Sequence, residues 1–231
     1  MSDYNETNEV KEVQKKKSCV RRFFGMYADS AKELNYLLTI VVCGMMAALA
    51  IVLSATTSVY IPGTDMKVGF SGIPNRLVDF LYGPVVGCIF GGVMDIVKFL
   101  IKPDGAFFPG YTLTAMLGGL IYGTFFYRLH IKQPKDDRIS TLILANIKSL
   151  VLIFIAEVLV KVFCNMGLNT LWSTMFTGKA FLAVLPGRVL KNLIQIPVDT
   201  VLHFVVIKMV QYMKRYLLPN VKRRPMIQKK R

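Results

Sequence analysis

The chain has 231 residues, of which 53% are hydrophobic, with a mean hydropathy of +0.45 and a formal charge of +15. This apolar content exceeds the roughly 45–50% of soluble domains and is gathered in blocks, so an ordinary soluble domain is not expected. The basic residues flank those blocks and form no groove-reading motif, which favours membrane topology over nucleic-acid binding. The four cysteines are scattered and there are two histidines, so neither a disulfide framework nor a protein-built metal site is predicted.

Taken in chain order, the sequence predicts three regions of an all-α integral membrane protein. Residues 1–34 form a cytoplasmic polar tail with an amphipathic segment, residues 35–213 a membrane domain, and residues 214–231 a basic cytoplasmic tail. Within the membrane domain we predict six helical segments, with a second one too short to cross a bilayer core of about 30 Å alone. Their approximate ranges are 36–60, 68–81, 84–101, 110–127, 141–163 and 181–212.

The distribution of Lys and Arg predicts the orientation. With the N-terminus inside, 19 basic residues fall in cytoplasmic connections and tails, and 3 in outer loops. This bias places both termini in the cytoplasm of a multi-pass protein of the cell membrane. It also gathers the predicted loops 61–67, 102–110 and 164–180 on the outer face, where we expect a binding site.

The loop at 102–110 is rich in Pro, Gly and aromatic residues. Phe107, Phe108 and Tyr111 lie beside backbone corners formed by Pro109 and Gly110. A plain hairpin between helices needs none of these residues. We therefore interpret the loop as a rigid aromatic cover over a ligand pocket.

Polar residues follow one face of the sixth segment. Arg188, Asn192, Gln195 and Asp199 are spaced by four, three and four residues, with Lys191 beside them. A cation within a bilayer normally faces a cavity or a partner. The two cations could line a pocket or snorkel to the interface, while Asp199 is expected to be a structural partner.

Three further acid–base pairs occur at helical spacing. In each pair the acid and the base could neutralise each other along one helix. In the first two pairs named below, the acid could instead orient the base toward an anionic ligand. We interpret the third as a simple intrahelical pair. The pairs are Arg76–Asp79, Asp95–Lys98 and Glu157–Lys161.

Trp172 is the lone tryptophan and follows Asn169 in the predicted outer loop. A single interfacial Trp can anchor a protein in the membrane. An indole can equally stack on a flat heterocycle while an amide reads the edge of that ring. Both interpretations remain open from the sequence.

Small residues recur every four positions in three segments. This spacing allows close packing within one bundle, or a smooth face that slides against another membrane subunit. The first segment, from Gly44 to Ser54, is the candidate for the second role. The recurring residues are Gly83, Gly87 and Gly91, then Ala115, Gly119 and Gly123, and finally Gly44 with Ala48.

Catalytic motifs are not apparent. The sequence has no GxxxxGK[ST] phosphate loop, no HExxH and no GxSxG. We therefore expect no enzyme activity, no catalytic residues and no cofactor, and any ATP hydrolysis would come from a partner.

Four stretches resemble a known family. They are VGFSGIPNRL, LYGPVVGCIFGGVMD, PDGAFFPGYTLTAMLGGLIYG and LNTLWSTMFTGKAFLAVLPGRVLKNLIQIPVD, between about residues 68 and 200. The chain resembles the S-component, the substrate-binding membrane subunit, of an energy-coupling factor (ECF) vitamin transporter, in its folate-specific branch. The resemblance implies a six-helix bundle that binds folate at its outer face and works with a transmembrane coupling subunit and two ATPases in a lipid bilayer.

The resemblance also suggests roles for individual residues. A folate pterin would need stacking and edge hydrogen bonds, and its glutamate tail would need cations. The candidate substrate-binding residues are Arg76, Lys98, Phe107, Phe108, Tyr111, Asn169, Trp172, Arg188, Lys191 and Asn192. The candidates for docking to the coupling subunit are Gly44, Ala47, Ala48, Ala50 and Ser54.

Alternatives to this interpretation remain. The chain could be an S-component for another flat vitamin such as riboflavin. It could also be a small membrane enzyme acting on an anionic lipid through Arg188, Lys191 and Asp199, or a membrane scaffold.

Overall fold

The computed structural model describes residues 21, 23–57, 59–60, 67–68, 71–101, 107–127, 129, 131, 144–178 and 181–217. The predicted polar residues 1–17, most of the 102–110 loop, the basic loop 128–138 and the last fourteen residues lie largely or wholly outside these ranges.

Helices dominate the part of the chain that the structure describes. We number them α1 (residues 23–33), α2 (Leu37–Thr57), α3 (Gly72–Tyr82), α4 (Pro84–Ile101), α5 (Pro109–Phe126), α6 (Ile147–Leu159), α7 (Asn169–Thr177) and α8 (Phe181–Leu217). A π-helix, Val160–Leu168, joins α6 to α7. The predicted third and fourth segments agree with α4 and α5 to within one residue.

The helix ends follow from local chemistry. Pro84 and Pro109 begin α4 and α5, because a proline at the start of a helix has its φ angle already set and lacks only an amide that would be unpaired there. Gly178, with a φ of 68°, ends α7 in the left-handed conformation that favours glycine.

One small sheet departs from the all-α expectation. Val59–Tyr60 pairs antiparallel with Lys67–Val68, in the register Val59 to Val68 and Tyr60 to Lys67. The predicted polar loop 61–67 is therefore bracketed by a two-residue ladder, and the first predicted segment stops at Thr57 rather than at residue 60. β-branched and aromatic residues favour extended backbone, which accounts for the ladder at these positions.

The predicted outer loop at 164–180 is wrong, because the chain remains helical to Thr177. Polar residues such as Asn165 and Asn169 suggested a loop, but no proline interrupts residues 144–178 and the helix widens into the nine-residue π-helix instead. π-helical turns are rare, and those that do occur are frequently found at functional sites. The polar residues of this segment line a cavity, as described below.

Helix α1 is fixed to the bundle by Ser30, which is fully buried. The Ser30 hydroxyl donates to the Tyr82 carbonyl at 2.7 Å and accepts from the amides of Val85 and Val86 at 3.0 and 3.3 Å. These amides belong to the first turn of α4, where no intrahelical acceptor exists. Ser30 therefore caps α4 from a different helix.

Helices α4 and α5 meet with their backbones in contact. A Cβ added at Gly91 would lie 2.6 Å from the Ala115 carbonyl oxygen, and one at Gly123 would lie 2.5 Å from the Pro84 Cα. Gly87 and Gly119 are equally close to each other's backbones. The recurring glycines of these two helices thus serve internal packing, which is one of the two interpretations that their spacing allowed.

Two groups of buried apolar side chains lie on either side of this helix pair. The first joins α5, α6 and α8 around Phe126, Ile153 and Ile207. The second joins α2, α3 and α4 around Val78 and Phe90, and includes Ala50 of α2. Between them, the pair α4–α5 carries the cavity described below.

Three helices in the described part of the chain are long and apolar enough to cross a membrane. They are Leu37–Thr57, Pro84–Ile101 and Leu185–Met213. Only 11% of the most apolar stretch of α2 is buried within the chain, so most of that helix faces outward.

Candidate functional site

A cavity of about 500 Å³ lies between α3, α4, α5, the π-helix and α8. Ligand pockets commonly measure about 300–1,000 Å³. Tyr111 and Tyr122, both on α5, line the cavity. Eleven residues of helix separate them, or about 16 Å, and we call the two regions the Tyr111 end and the Tyr122 end.

A connected set of polar side chains forms the Tyr122 end. The Arg76 guanidinium carbon lies 3.6 Å from the centroid of the Tyr122 ring, and Arg76 donates to Asp79 at 2.7 Å. The Tyr122 hydroxyl donates to Glu157 Oε2 at 2.7 Å, and Glu157 Oε1 lies 2.7 Å from His203 Nδ1. Four helices thus converge on Glu157, which is fully buried.

The predicted intrahelical pair Glu157–Lys161 is wrong. Lys161 Nζ lies 2.8 Å from Asp199 Oδ2 on α8, while Glu157 bonds to Tyr122 and His203. The π-helix begins at Val160, between the two residues, and its wider turn changes the direction in which Lys161 leaves the helix. Asp199 is a structural partner as expected, and both members of this pair line the cavity.

The pairing of Arg76 with Asp79 is confirmed, whereas Asp95 and Lys98 bond to other helices. Asp95 accepts from the Thr112 hydroxyl at 2.7 Å, and Lys98 donates to the Ser71 hydroxyl at 3.3 Å. Arg76 and Asp95 line the cavity, but Lys98 is not among its lining residues.

Two side-chain oxygens in the cavity wall lack a hydrogen-bond partner within the described ranges. They are Oδ1 of Asn75 and Oδ1 of Asn169, and both atoms are buried. The Asn169 amide nitrogen donates to Asn165 Oδ1 at 3.1 Å, which fixes the orientation of Asn169. A buried polar atom without a partner costs about 1–3 kcal/mol, so these oxygens are suited to donors on a ligand.

The Tyr111 end carries the cations predicted from the sixth segment. Arg188 interacts electrostatically with the side chain of Tyr111, and Lys191 lines the cavity together with Gln195. Asn192 is 4% exposed and lies outside the lining. Of the three predicted residues, Lys191 therefore lines the cavity, Arg188 lies near the lining residue Tyr111, and Asn192 is not a lining residue.

Of the predicted aromatic residues, Tyr111 lines the cavity, whereas Phe107, Phe108 and Trp172 do not. The rings of Phe108 and Trp172 lie 5.6 Å apart, and Trp172 Nε1 donates to the Thr114 hydroxyl at 3.0 Å. Thr114 is itself a lining residue. Phe107 is 45% exposed and contacts Phe99, with ring centroids 5.2 Å apart. Within the described residues, Phe108 and Trp172 therefore contact the lining residues Tyr111 and Thr114 and do not cover the cavity.

The five predicted docking residues on α2 separate into three groups by exposure. Gly44 and Ala48 are exposed, and a Cβ on Gly44 would meet no atom within 4 Å. Ala47 and Ser54 are half-buried. Ala50 is fully buried against the second apolar group, because it faces the opposite side of α2, and it cannot contact a partner there.

Sequence reasoning missed four residues of the site. Tyr122 and Cys164 lie in apolar runs that gave no signal, whereas Asn75 stands next to the candidate Arg76. His203 could have been found, because it follows Asp199 by four residues and extends the polar face of the sixth segment. No group of three or more His, Cys, Asp or Glu that could hold a metal ion occurs within the described ranges.

Comparison with known proteins gives consistent results. Residues 38–207 match the family model described as ECF transporter, substrate-specific component. The chain is 30% identical over 165 residues to a folate transporter FolT of Clostridium novyi, covering 71% of this chain and 85% of the relative. It is 32% identical over 165 residues to a folate transporter FolT of Leuconostoc mesenteroides, covering 69% and 78%.

A solved crystal structure of FolT bound with folic acid has a similar fold. The TM-score is 0.60 at 27% sequence identity, with 73% of this chain and 92% of that chain covered. The family predicted from the four sequence stretches is thereby confirmed. Since the family model spans residues 38–207, well over half of the sequence, the chain belongs to the family of substrate-specific components of ECF transporters.

Proposed function

We propose that this chain binds folate in the cavity and delivers it through an ATP-driven ECF transporter. The observation that carries the proposal is that Asn75 and Asn169 line the cavity and that the buried Oδ1 of each has no hydrogen-bond partner in the described chain. The names of the two FolT relatives and of the folic acid-bound structure support folate as the ligand. A pterin has several N–H groups that can donate hydrogen bonds to such oxygens.

The cations at the Tyr111 end suit the carboxylates of a glutamate tail. Lys191 lines the cavity directly. Arg188 lies near the lining residue Tyr111, and its guanidinium has five N–H donors that suit a carboxylate. Arg76 lies at the Tyr122 end and Lys98 is not a lining residue, so by position these two predicted tail cations are weaker candidates than Lys191.

Fluorescence of the lone tryptophan tests the choice of ligand. Trp172 is bonded to the lining residue Thr114, so a ligand in the cavity should change its emission. We expect saturable changes with folate and 5-formyltetrahydrofolate, and none with riboflavin or thiamine, after correction for ligand absorbance. A saturable signal from riboflavin or thiamine alone would refute folate as the substrate, and calorimetry would check the result independently of the fluorophore.

Charge removal tests the assignment of the tail. Lys191→Met should weaken folate binding about 10- to 100-fold, because a hydrogen bond to a charged group contributes about 1.5–3 kcal/mol. Lys148→Met is the matched control, since Lys148 is exposed on α6 and remote from the lining. Equal affinities for the two variants would contradict the assignment.

We also propose the complete topology. Six membrane segments, with residues 1–34 and 214–231 in the cytoplasm and residues 35–213 in the cell membrane, agree with the 19 to 3 distribution of basic residues. In a cysteine-free background, Asp65→Cys should react with a membrane-impermeant maleimide added to intact cells, and Gln133→Cys should not. Labelling at residue 133 alone would reverse the orientation.

Transport requires partners, and we propose that the exposed small residues of α2 dock to the coupling subunit, which acts with two ATPase subunits. Close approach of two helices is possible only where side chains are small, and Gly44 is open to its surroundings. Gly44→Leu should therefore preserve folate binding and reduce uptake. Val205→Leu, at an exposed position on α8, is the control, and loss of binding in Gly44→Leu would contradict docking as the cause.

A further inference from the structure

We infer that His203 contacts the bound ligand at the Tyr122 end of the cavity and that Glu157 fixes the orientation in which it does so. The inference rests on the proposed function and extends it. It assigns the heterocycle of folate to the Tyr122 end and leaves the Tyr111 end to the carboxylates.

Glu157 holds His203 from one side. Its carboxylate has two oxygens, and each takes one bond: Oε2 from the Tyr122 hydroxyl at 2.7 Å and Oε1 with His203 Nδ1 at 2.7 Å. An ionised carboxylate accepts but cannot donate, so the Nδ1 of His203 carries a proton. The buried acid therefore determines which ring nitrogen is the donor.

Two aromatic rings hold the plane of the imidazole. The His203 ring lies 6.4 Å from Tyr122 at 68° and 6.1 Å from Phe126 at 62°, both as edge contacts. Phe126 is fully buried, so it leaves the imidazole no room to turn aside. Rotation of the ring would also break its bond to Glu157.

The other ring nitrogen of His203 is the group available to a ligand. Nδ1 is occupied by Glu157, no other hydrogen bond to the imidazole occurs within the described residues, and His203 lines the cavity. With a proton on Nδ1, a neutral imidazole presents Nε2 as an acceptor. An acceptor in the cavity wall suits an N–H group of a heterocycle, not a carboxylate.

The charges at the two ends agree with this polarity. Arg76, the cation nearest this network, is neutralised by Asp79 at 2.7 Å, and Lys161 is neutralised by Asp199 at 2.8 Å. Lys191, a lining cation, lies toward the Tyr111 end, about three turns of α8 before His203. An anionic tail that extends toward Tyr111 would therefore run along the part of α8 that carries Arg188 and Lys191.

A matched pair of variants tests the contact. In His203→Gln the side chain can still place a polar atom near the position of Nε2, whereas in His203→Asn it keeps the bond to Glu157 and loses the reach into the cavity. Measured by calorimetry on the purified chain in detergent, we expect His203→Asn to weaken folate binding at least about tenfold and His203→Gln less than about threefold. The reverse order, or equal losses, would overturn the inference.

A pair of ligands separates a contact from a structural effect. Folic acid and aminopterin share the glutamate tail and differ in the heterocycle, where a 4-oxo group is replaced by a 4-amino group. His203→Asn should change the ratio of their affinities at least about threefold, while Lys191→Met should lower both equally. Binding with an unchanged ratio would overturn this inference alone, whereas wild-type chain that binds neither ligand would overturn the proposed function as well.

Modification of the unaltered chain provides a test that does not depend on folding of a variant. Diethyl pyrocarbonate modifies an accessible imidazole nitrogen, and mass spectrometry resolves His203 from His130, the second histidine. We expect saturating folate to slow modification of His203 at least about fivefold and to leave His130 unaffected. Modification of His203 that folate does not slow, or no modification in its absence, would overturn the inference.

Discussion

Substitution of Gly119 by Ala tests the backbone contact between α4 and α5. A Cβ at position 119 would overlap the carbonyl oxygen of Gly87 and would lie 2.6 Å from its carbonyl carbon. Carbon atoms in contact normally stay about 3.5 Å apart, so the two helices would have to separate by about 1 Å. Backbone atoms cannot rotate out of the way, and overpacking of this kind costs about 1–3 kcal/mol.

The control is Gly44→Ala, the same change of one hydrogen to one methyl in the middle of a helix. No heavy atom lies within 4 Å of a Cβ at Gly44, and replacing a helical Gly by Ala should stabilise by about 0.5–1 kcal/mol. Thermal unfolding of each purified variant in the same detergent, followed by tryptophan emission, should place Gly119→Ala below wild type and Gly44→Ala at or above it. Equal unfolding temperatures for the two variants would refute the close contact and with it the position of one cavity wall.

Three further predictions concern other contacts. Asp199→Asn should lower stability by about 3–5 kcal/mol, since it leaves Lys161 buried with its charge unpaired, and a double variant with Lys161→Met should recover much of the loss in the same unfolding assay. If the double variant were no more stable than Asp199→Asn, the two residues would not act as a pair. Ser30→Ala should cost about 1 kcal/mol, as expected for loss of a helix cap, with no change in folate affinity measured by calorimetry. Arg188→Lys should weaken folate binding more than it lowers the unfolding temperature, because an ammonium cannot bind a carboxylate in the planar, bidentate geometry of a guanidinium; wild-type affinity would exclude Arg188 from the site.

The sequence alone was sufficient for elements whose apolar length and end signals agree. Helices α4 and α5 begin at prolines and run as continuous apolar blocks, so their bounds were predictable to within one residue. The spacing of Arg188, Asn192, Gln195 and Asp199 similarly predicted a polar face. Gln195 and Asp199 line the cavity with the neighbouring Lys191, whereas Arg188 and Asn192 do not.

The rest of the site depends on contacts between helices, which spacing along one helix does not reveal. Glu157 and Lys161 are four residues apart and suggested a local pair, yet the π-helix that begins between them directs each to a different partner. Trp172 suggested a stacking surface, but its indole N–H is satisfied by Thr114 and its ring packs on Phe108. In both cases residue type predicted the presence of a polar or aromatic group, and tertiary packing determined its direction.

The glycine contacts have a mechanical consequence for ligand entry and release. Because α4 and α5 touch backbone to backbone at Gly91 and Gly123, there is no layer of side chains between them that could rearrange, and the pair moves as one rigid plate. The facing wall, α8, contains Pro197, which breaks its hydrogen-bond ladder between Lys191 and His203. A ligand therefore meets one wall whose two helices touch backbone to backbone and one wall whose helix lacks a backbone hydrogen bond at Pro197, where bending is easiest.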